Sequence, residues 1–184
     1  MPEPRRWHFS KVARECGQSG SPRDSDDVAM RKRIDPVISE PSRVPPQDWL
    51  DLETLAEVEI TSEDQAHPIE AALLPGAGSG WRAAQPGRQT LRILFNEPQD
   101  LRQIHLVFTE EHRARTQEFV LRWSLGDHQP LEQIVRQQYN FTPSSREVED
   151  YNVELNGVKR LELEINPSIG HGDLHASLTE LRLS

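Results

Sequence analysis

From Asp48 onward, apolar and polar residues alternate in short runs. Leu91, Ile93 and Phe95 take every second position of TLRILF, as Ile104, Leu106 and Phe108 do in IHLVF. A period of two puts each set on one face of an extended strand. FVLRWSL repeats the pattern with Phe119, Leu121, Trp123 and Leu125. Tyr151, Val153 and Leu155 precede Asn156-Gly157, and Leu161, Leu163 and Ile165 follow it; Asn-Gly between alternating runs predicts a tight hairpin. AEVEIT (56–61), EQIVRQQ (132–138) and ASLTELRL (176–183) bring the expected total to about eight strands, with no long helical pattern between them. Such a chain is expected to be all-β, an antiparallel β-sandwich of jelly-roll type.

Residues 1–46 have a different texture. GQSGSPRDSDD, RKR and PVISEPSRVPP mix Gly, Ser, Pro and charges of both signs with few aromatic residues. Such a segment buries too little apolar surface to offset its ordering entropy. The expected organisation is therefore a flexible tail over 1–46 and one folded domain over 47–184. The tail reads as a linker or as a docking arm using Arg31, Lys32 and Arg33.

Charge sharpens this division. The tail holds nine Lys/Arg and seven Asp/Glu; with 21 and 30 in the whole chain, 12 and 23 remain for the domain, so the parts carry +2 and −11. A domain this acidic lacks the concentrated basic surface that phosphate backbones require, which disfavours a nucleic-acid partner. Cys16 is the only cysteine, so an intrachain disulfide and a Cys-rich zinc site are excluded. No apolar run has the length of a signal-peptide core or a membrane span. A cytoplasmic location is the expectation.

Strand parity points to one end of the sandwich. If successive strands run antiparallel, their connections alternate between the two ends. One end then collects the long segment between ITSED and TLRIL, TEEHRAR, NFTPSSREVE and NPSIGHGDL; the other receives NEPQD, GDHQP and the Asn-Gly turn. Long, chemically varied loops on a rigid scaffold are where binding sites are built. Trp81 and Arg82, within AGSGWRAAQPG, fall at the loop-rich end. Trp81 is either a stacking platform or a core plug, and Arg82 offers fork-like donors to a ligand or pairs an acid such as Glu63. His112, Arg113 and Arg115 lie in TEEHRAR, and Asn140 in the next connection. Glu110, Glu111 and His112 could serve acid-base chemistry, but adjacent acids on a connector are ordinarily solvated. His171, Asp173 and His175 share a face if the backbone is extended, giving a weak alternative as metal ligands. The sequon Asn140-Phe141-Thr142 is followed by Pro143 and carries no weight.

GWRAAQPGRQTLRILF, IHLVF, RTQEF (115–119), RQQYNFTP and the closing SLTELRL together resemble the galactose-binding-like superfamily, the β-sandwich of discoidin and coagulation factor 5/8 type C domains. The closest likeness is to bacterial single-domain proteins described as discoidin-like or carbohydrate-binding, and it covers roughly residues 49–184. A DNA-repair scaffold branch has a similar WRAA stretch, but the acidic charge argues against copying its role. The resemblance implies a non-catalytic module that binds through loops at one end, with Gln117 and Glu118 as framework residues or equally as contacts. It also implies a structural calcium ion between carbonyls of the first long loop and a carboxylate of the last strand, where Glu180 matches. Leu74-Pro75-Gly76 replaces the usual aspartate-glycine of that loop, leaving Glu63 and Asp64 as further acids.

The expected function is recognition of a carbohydrate or similar polyhydroxylated ligand by Trp81, Arg82, His112, Arg113, Arg115 and Asn140. The alternative is a protein-interaction adaptor using the same end. No Gly-rich phosphate loop or nucleophile elbow supports an enzyme.

Overall fold

The computed structural model describes residues 48–126, 129–170 and 173–184. The expected tail, residues 1–46, lies outside them. Eight strands form: β1 (Ala56–Ile60), β2 (Trp81–Pro86), β3 (Gln89–Glu110), β4 (Arg115–Ser124), β5 (Glu132–Phe141), β6 (Ser145–Asn166), β7 (His175–Leu178) and β8 (Glu180–Leu183). Two four-residue helices, α1 (Leu52–Leu55) and α2 (Glu70–Leu73), accompany them.

The frame is a long ribbon of β3 and β6, 22 residues each. They pair antiparallel from Gln89↔Ile165 to Glu110↔Ser145, with register shifts between Leu94 and Gln103. The first half of β3 also pairs with β1 and the second half with β8. The last part of β6 pairs with β4, which pairs with β5. Phe119 of β4 stands in one row with Ile165 and Gln89, yet Glu110, at the far end of β3, reaches Arg115 at the start of β4 (2.7 Å). The ribbon therefore folds over on itself. One half lies in a layer ordered β1-β3-β6-β4-β5, the other in a layer ordered β6-β3-β8. Strands that switch layers at bulged corners are a known way to close a sandwich.

This corrects the hairpin expected at Asn156-Gly157. Gly157 does adopt the left-handed conformation, φ 72°, but β6 keeps β3 as its partner on both sides. The residue forms the corner between layers, with its N–H donated to Asp100 Oδ1 (2.9 Å). The terminal run ASLTELRL is also two strands, parted at Thr179: β7 pairs with β2, and β8 with β3. β2 falls where the sequence predicts loop, because WRAAQP has only two inward side chains and no β-branched residue.

The alternating residues meet between the layers. Leu91, Ile93, Phe95, Ile104, Leu106, Phe108, Phe119, Leu121, Leu161, Leu163 and Ile165 are all buried. Leu125 breaks the expected pattern at 55% exposed, since β4 ends at Ser124. The outward face of the larger layer is closed by ion pairs. Glu162, 6% exposed, lies 3.0 Å from Arg92 and 3.3 Å from Arg122 and also meets Arg160, while Glu164 takes Arg88 (2.6 Å) and Arg122 (3.2 Å). Burial resists ionisation of Glu162, but hydrogen bonds from Arg92 and Arg160 outweigh it and hold the carboxyl below its ordinary range. The centre of this face is thus charged and internally paired.

Candidate functional site

The registers place Ile60, Gln89, Arg115, Phe141 and Asn166 at one end. The connections 61–80, 111–114, 142–144 and 167–174 therefore gather there, as parity predicts. The corners near 96–102 and 156–157 lie opposite, with the end of β4 at Ser124 and the start of β5 at Glu132. His128, in the GDHQP connection expected at that opposite end, lies outside the described residues.

The first connection is shaped from within. Glu63 Oε2 accepts the Ile69 N–H (2.7 Å) and Asp64 Oδ1 the Ala66 N–H (3.0 Å). Gly80 then admits the chain into β2. Its φ is 93°, and a Cβ there would come within 2.6 Å of the Leu178 carbonyl oxygen. Only glycine fits so close beside β7.

Trp81 follows directly and is 2% exposed. It plugs the core and presents no ring face to a ligand, which corrects its expected binding role. Arg82 is its exposed neighbour in the alternating pattern of β2. Its backbone is held at both polar groups, donating to the His67 carbonyl (3.1 Å) and accepting from Asp64 (2.9 Å). Its guanidinium makes no ion pair with a described residue.

Arg115 is likewise corrected to a framework role. It is 9% exposed, pairs with Glu110 (2.7 Å), donates to the His175 carbonyl (3.2 Å) and Ser177 Oγ (3.4 Å), and lies 5.5 Å from the centre of the Phe141 ring. Glu110 also accepts the N–H groups of His112 (2.9 Å) and Arg113 (3.0 Å). One carboxylate thus ties the 111–114 loop to the buried guanidinium. Burial opposes ionisation of Glu110, but the two amides and Arg115 prevail and its carboxyl stays below the ordinary range. The His112 side chain is 81% exposed beside Glu111 (3.5 Å) and does not join the cleft described next. Gln117 is fully buried and Glu118 accepts from Gln138 (3.0 Å).

Two clefts open at this end. The first, about 510 Å³, has Phe141, Ser168 and Arg115 at its base, all buried, and Arg113, Thr116, Asn140, Ile169 and Asp173 around it. Asn140 Oδ1 accepts from Thr116 Oγ1 (2.8 Å), which points its amide N–H groups elsewhere. The Ile169 N–H is donated to the Thr116 carbonyl (2.8 Å), fixing the 167–174 loop against β4. The cleft thus offers a cation, an amide, a carboxylate and an exposed isoleucine within one concavity. The second cleft, about 650 Å³, is lined by Glu63, Asp64, Gln65, Arg82 and His175 among others.

The expected binding residues are accordingly divided. Arg113, Arg115 and Asn140 share the first cleft, and Arg82 belongs to the second. The HGDLH ligand set divides too: Asp173 lines the first cleft, His175 lines the second with Nδ1 2.8 Å from the Ala83 carbonyl, and His171 lies outside the described residues. Among the described residues no three His, Cys, Asp or Glu side chains are grouped to hold a metal.

The calcium site implied by resemblance does not fit the residues present. Glu180 is 3.3 Å from Arg182 Nε, and the same guanidinium donates to the carbonyls of Ala72 (2.7 Å) and Leu74 (3.2 Å) in the first connection. A fixed cation already faces the oxygens that would ligate the ion.

The sequence does not single out Ser168, Ile169 or Arg182, and it offers Glu110 for acid-base chemistry and not as the framework clip. NPSIG and TEE look like ordinary connectors, and only the fold shows which of their side chains turn inward.

Comparison with solved structures aligns the chain with several small modules. One is CBM32-3 from a family 31 glycoside hydrolase of Clostridium perfringens, at 18% identity and TM-score 0.51 over 73% of this chain and 93% of that one. Another is chitosan-binding module 1 from a chitosanase/glucanase of Paenibacillus sp. IK-5, at 10% identity and TM-score 0.52 over 72% and 97%. A third is the family 32 module of C. perfringens NanJ in complex with galactose, at 13% identity and TM-score 0.50 over 70% and 92%. No protein-family model and no curated protein matches the sequence. Identities this low speak for the backbone alone. Together with the layer order and the closed core, they show that the chain has the β-sandwich fold of these modules.

Proposed function

We propose that this chain is a non-catalytic binding module and that the first cleft takes a carbohydrate or a similar polyhydroxylated molecule. The observation that carries this reading is the set of Arg113, Asn140 and Asp173 around Ile169, held in place by the Glu110 clip and the Thr116 bonds. Hydroxyl groups both donate and accept, so a site for them needs both kinds of partner close to an apolar patch. The cation and amide supply donors, the carboxylate supplies acceptors, and Ile169 can cover the C–H face of a ring. Phe141 is too deeply buried to offer a stacking surface, so recognition rests on hydrogen bonds. The structural neighbours, carbohydrate-binding modules, share this scaffold and support the reading.

Calorimetric titration with galactose, mannose, galacturonate and chitosan oligosaccharides tests it. Arg113→Ala should weaken the interaction by about 1.5–3 kcal/mol, the range for a charge-assisted hydrogen bond, without lowering the melting temperature. Glu97→Ala, an exposed substitution at the opposite end, should leave binding unchanged. If no saccharide binds while capture from lysate retains a protein that Arg113→Ala releases, the cleft is an adaptor surface instead.

A further inference from the structure

We propose that Arg182 is a tethered cation filling a latent divalent-metal cage, so that the first connection is locked without a free ion. The guanidinium is 7% exposed. It donates to the carbonyls of Ala72 (2.7 Å), Leu181 (2.8 Å) and Leu74 (3.2 Å), and its Nε lies 3.3 Å from Glu180 Oε1. The last carbonyls of a helix have no partner within it, and those of α2 and its following residue turn towards β8. Three carbonyl oxygens and one carboxylate oxygen surround the guanidinium, shared among its three nitrogens, and oxygens of these kinds are the donors a hard cation takes. Here an arginine supplies the charge. It neutralises Glu180, satisfies oxygens whose burial would otherwise cost free energy, and its positive charge disfavours entry of a metal. Because it is covalently attached, its occupancy does not vary with metal concentration, unlike that of a dissociable ion.

The consequence reaches the candidate site. α2 lies between Asp64 and Arg82 in the chain, and Arg182 fixes it to the last strand. The loop-rich end is thus assembled in chelator as well as in calcium. Removing the guanidinium should expose the cage, which then has three carbonyls, a carboxylate able to bind through both oxygens, and water to complete six ligands. The inference rests on the cage geometry and stands independently of the saccharide reading.

Thermal melting of the full chain in chelator, calcium chloride and magnesium chloride tests it. The unaltered protein should melt at one temperature in all three. Arg182→Ala should melt several degrees lower in chelator and recover part of that loss in millimolar calcium. Arg182→Ala with Glu180→Gln should be equally destabilised and unresponsive. Limited proteolysis should show new cleavage within residues 61–80 of Arg182→Ala, suppressed by calcium. A calcium-dependent rise in the unaltered protein, or an Arg182→Ala variant that melts normally, would overturn the tethered cation. An Arg182→Ala variant insensitive to calcium would overturn the latent cage. If that variant does not fold, Arg182→Gln takes its place in every arm, and the unaltered protein still decides whether a free ion is needed.

Discussion

Trp81→Ala should destabilise the domain by about 3–5 kcal/mol, the cost of removing a large buried aromatic side chain and leaving a cavity. Trp81 is almost completely inaccessible, and its strand pairs with β7 in a separate two-stranded sheet. Chemical denaturation should show a lower midpoint with an unchanged slope. Saccharide binding, measured where the variant is still folded, should fall no further than the folded fraction requires. A variant of normal stability that no longer binds would restore Trp81 to the role of a contact residue.

Arg115→Ala should cost about 3 kcal/mol, because breaking a buried ion pair strands the partner charge. Glu110 would keep two amide donors and lose its cation. The pair also has a pH signature. The carboxyl of Glu110 is depressed in the folded state, so its contribution is fully present above the unfolded carboxyl value of about 4.5 and is lost as pH falls through the folded value. The unaltered protein should lose stability through this acid window, and Arg115→Ala should lose less across it. Parallel acid curves would remove the coupling from the account. The contrast with Arg113 is informative: Arg115, at the start of β4, is buried in the framework, while Arg113, two residues earlier, is exposed on the preceding loop.

Much of the fold was legible in the alternation of side chains, because a strand's period of two carries directly into burial. Leu91 to Phe95 and Leu161 to Ile165 became adjacent strands of one layer. Alternation says nothing about which strands pair. The Asn156-Gly157 signal was therefore read as a hairpin, although the left-handed glycine serves equally well at a corner where the strand passes between layers. The loop-rich end followed from parity, which survives this error because a fold-over reverses direction as a hairpin does. Within the site, Arg113 and Asn140 could be named from residue type. The division between Arg113 and Arg115 could not, since it depends on the Glu110 clip. Nor could Arg182: an arginine in TELRL reads as the exposed position of a strand, and its buried carbonyl partners are about 110 residues away in the chain.

Amide chemical-shift mapping tests the central claim most directly. Titration of isotope-labelled protein with galactose and galacturonate should produce saturable shifts at Arg113, Thr116, Asn140, Ser168 and Ile169, with little change near Glu97 or Gly157. Shifts concentrated at that opposite end, or on the ion-paired face around Arg122 and Glu164, would contradict the assignment of the first cleft as the binding site.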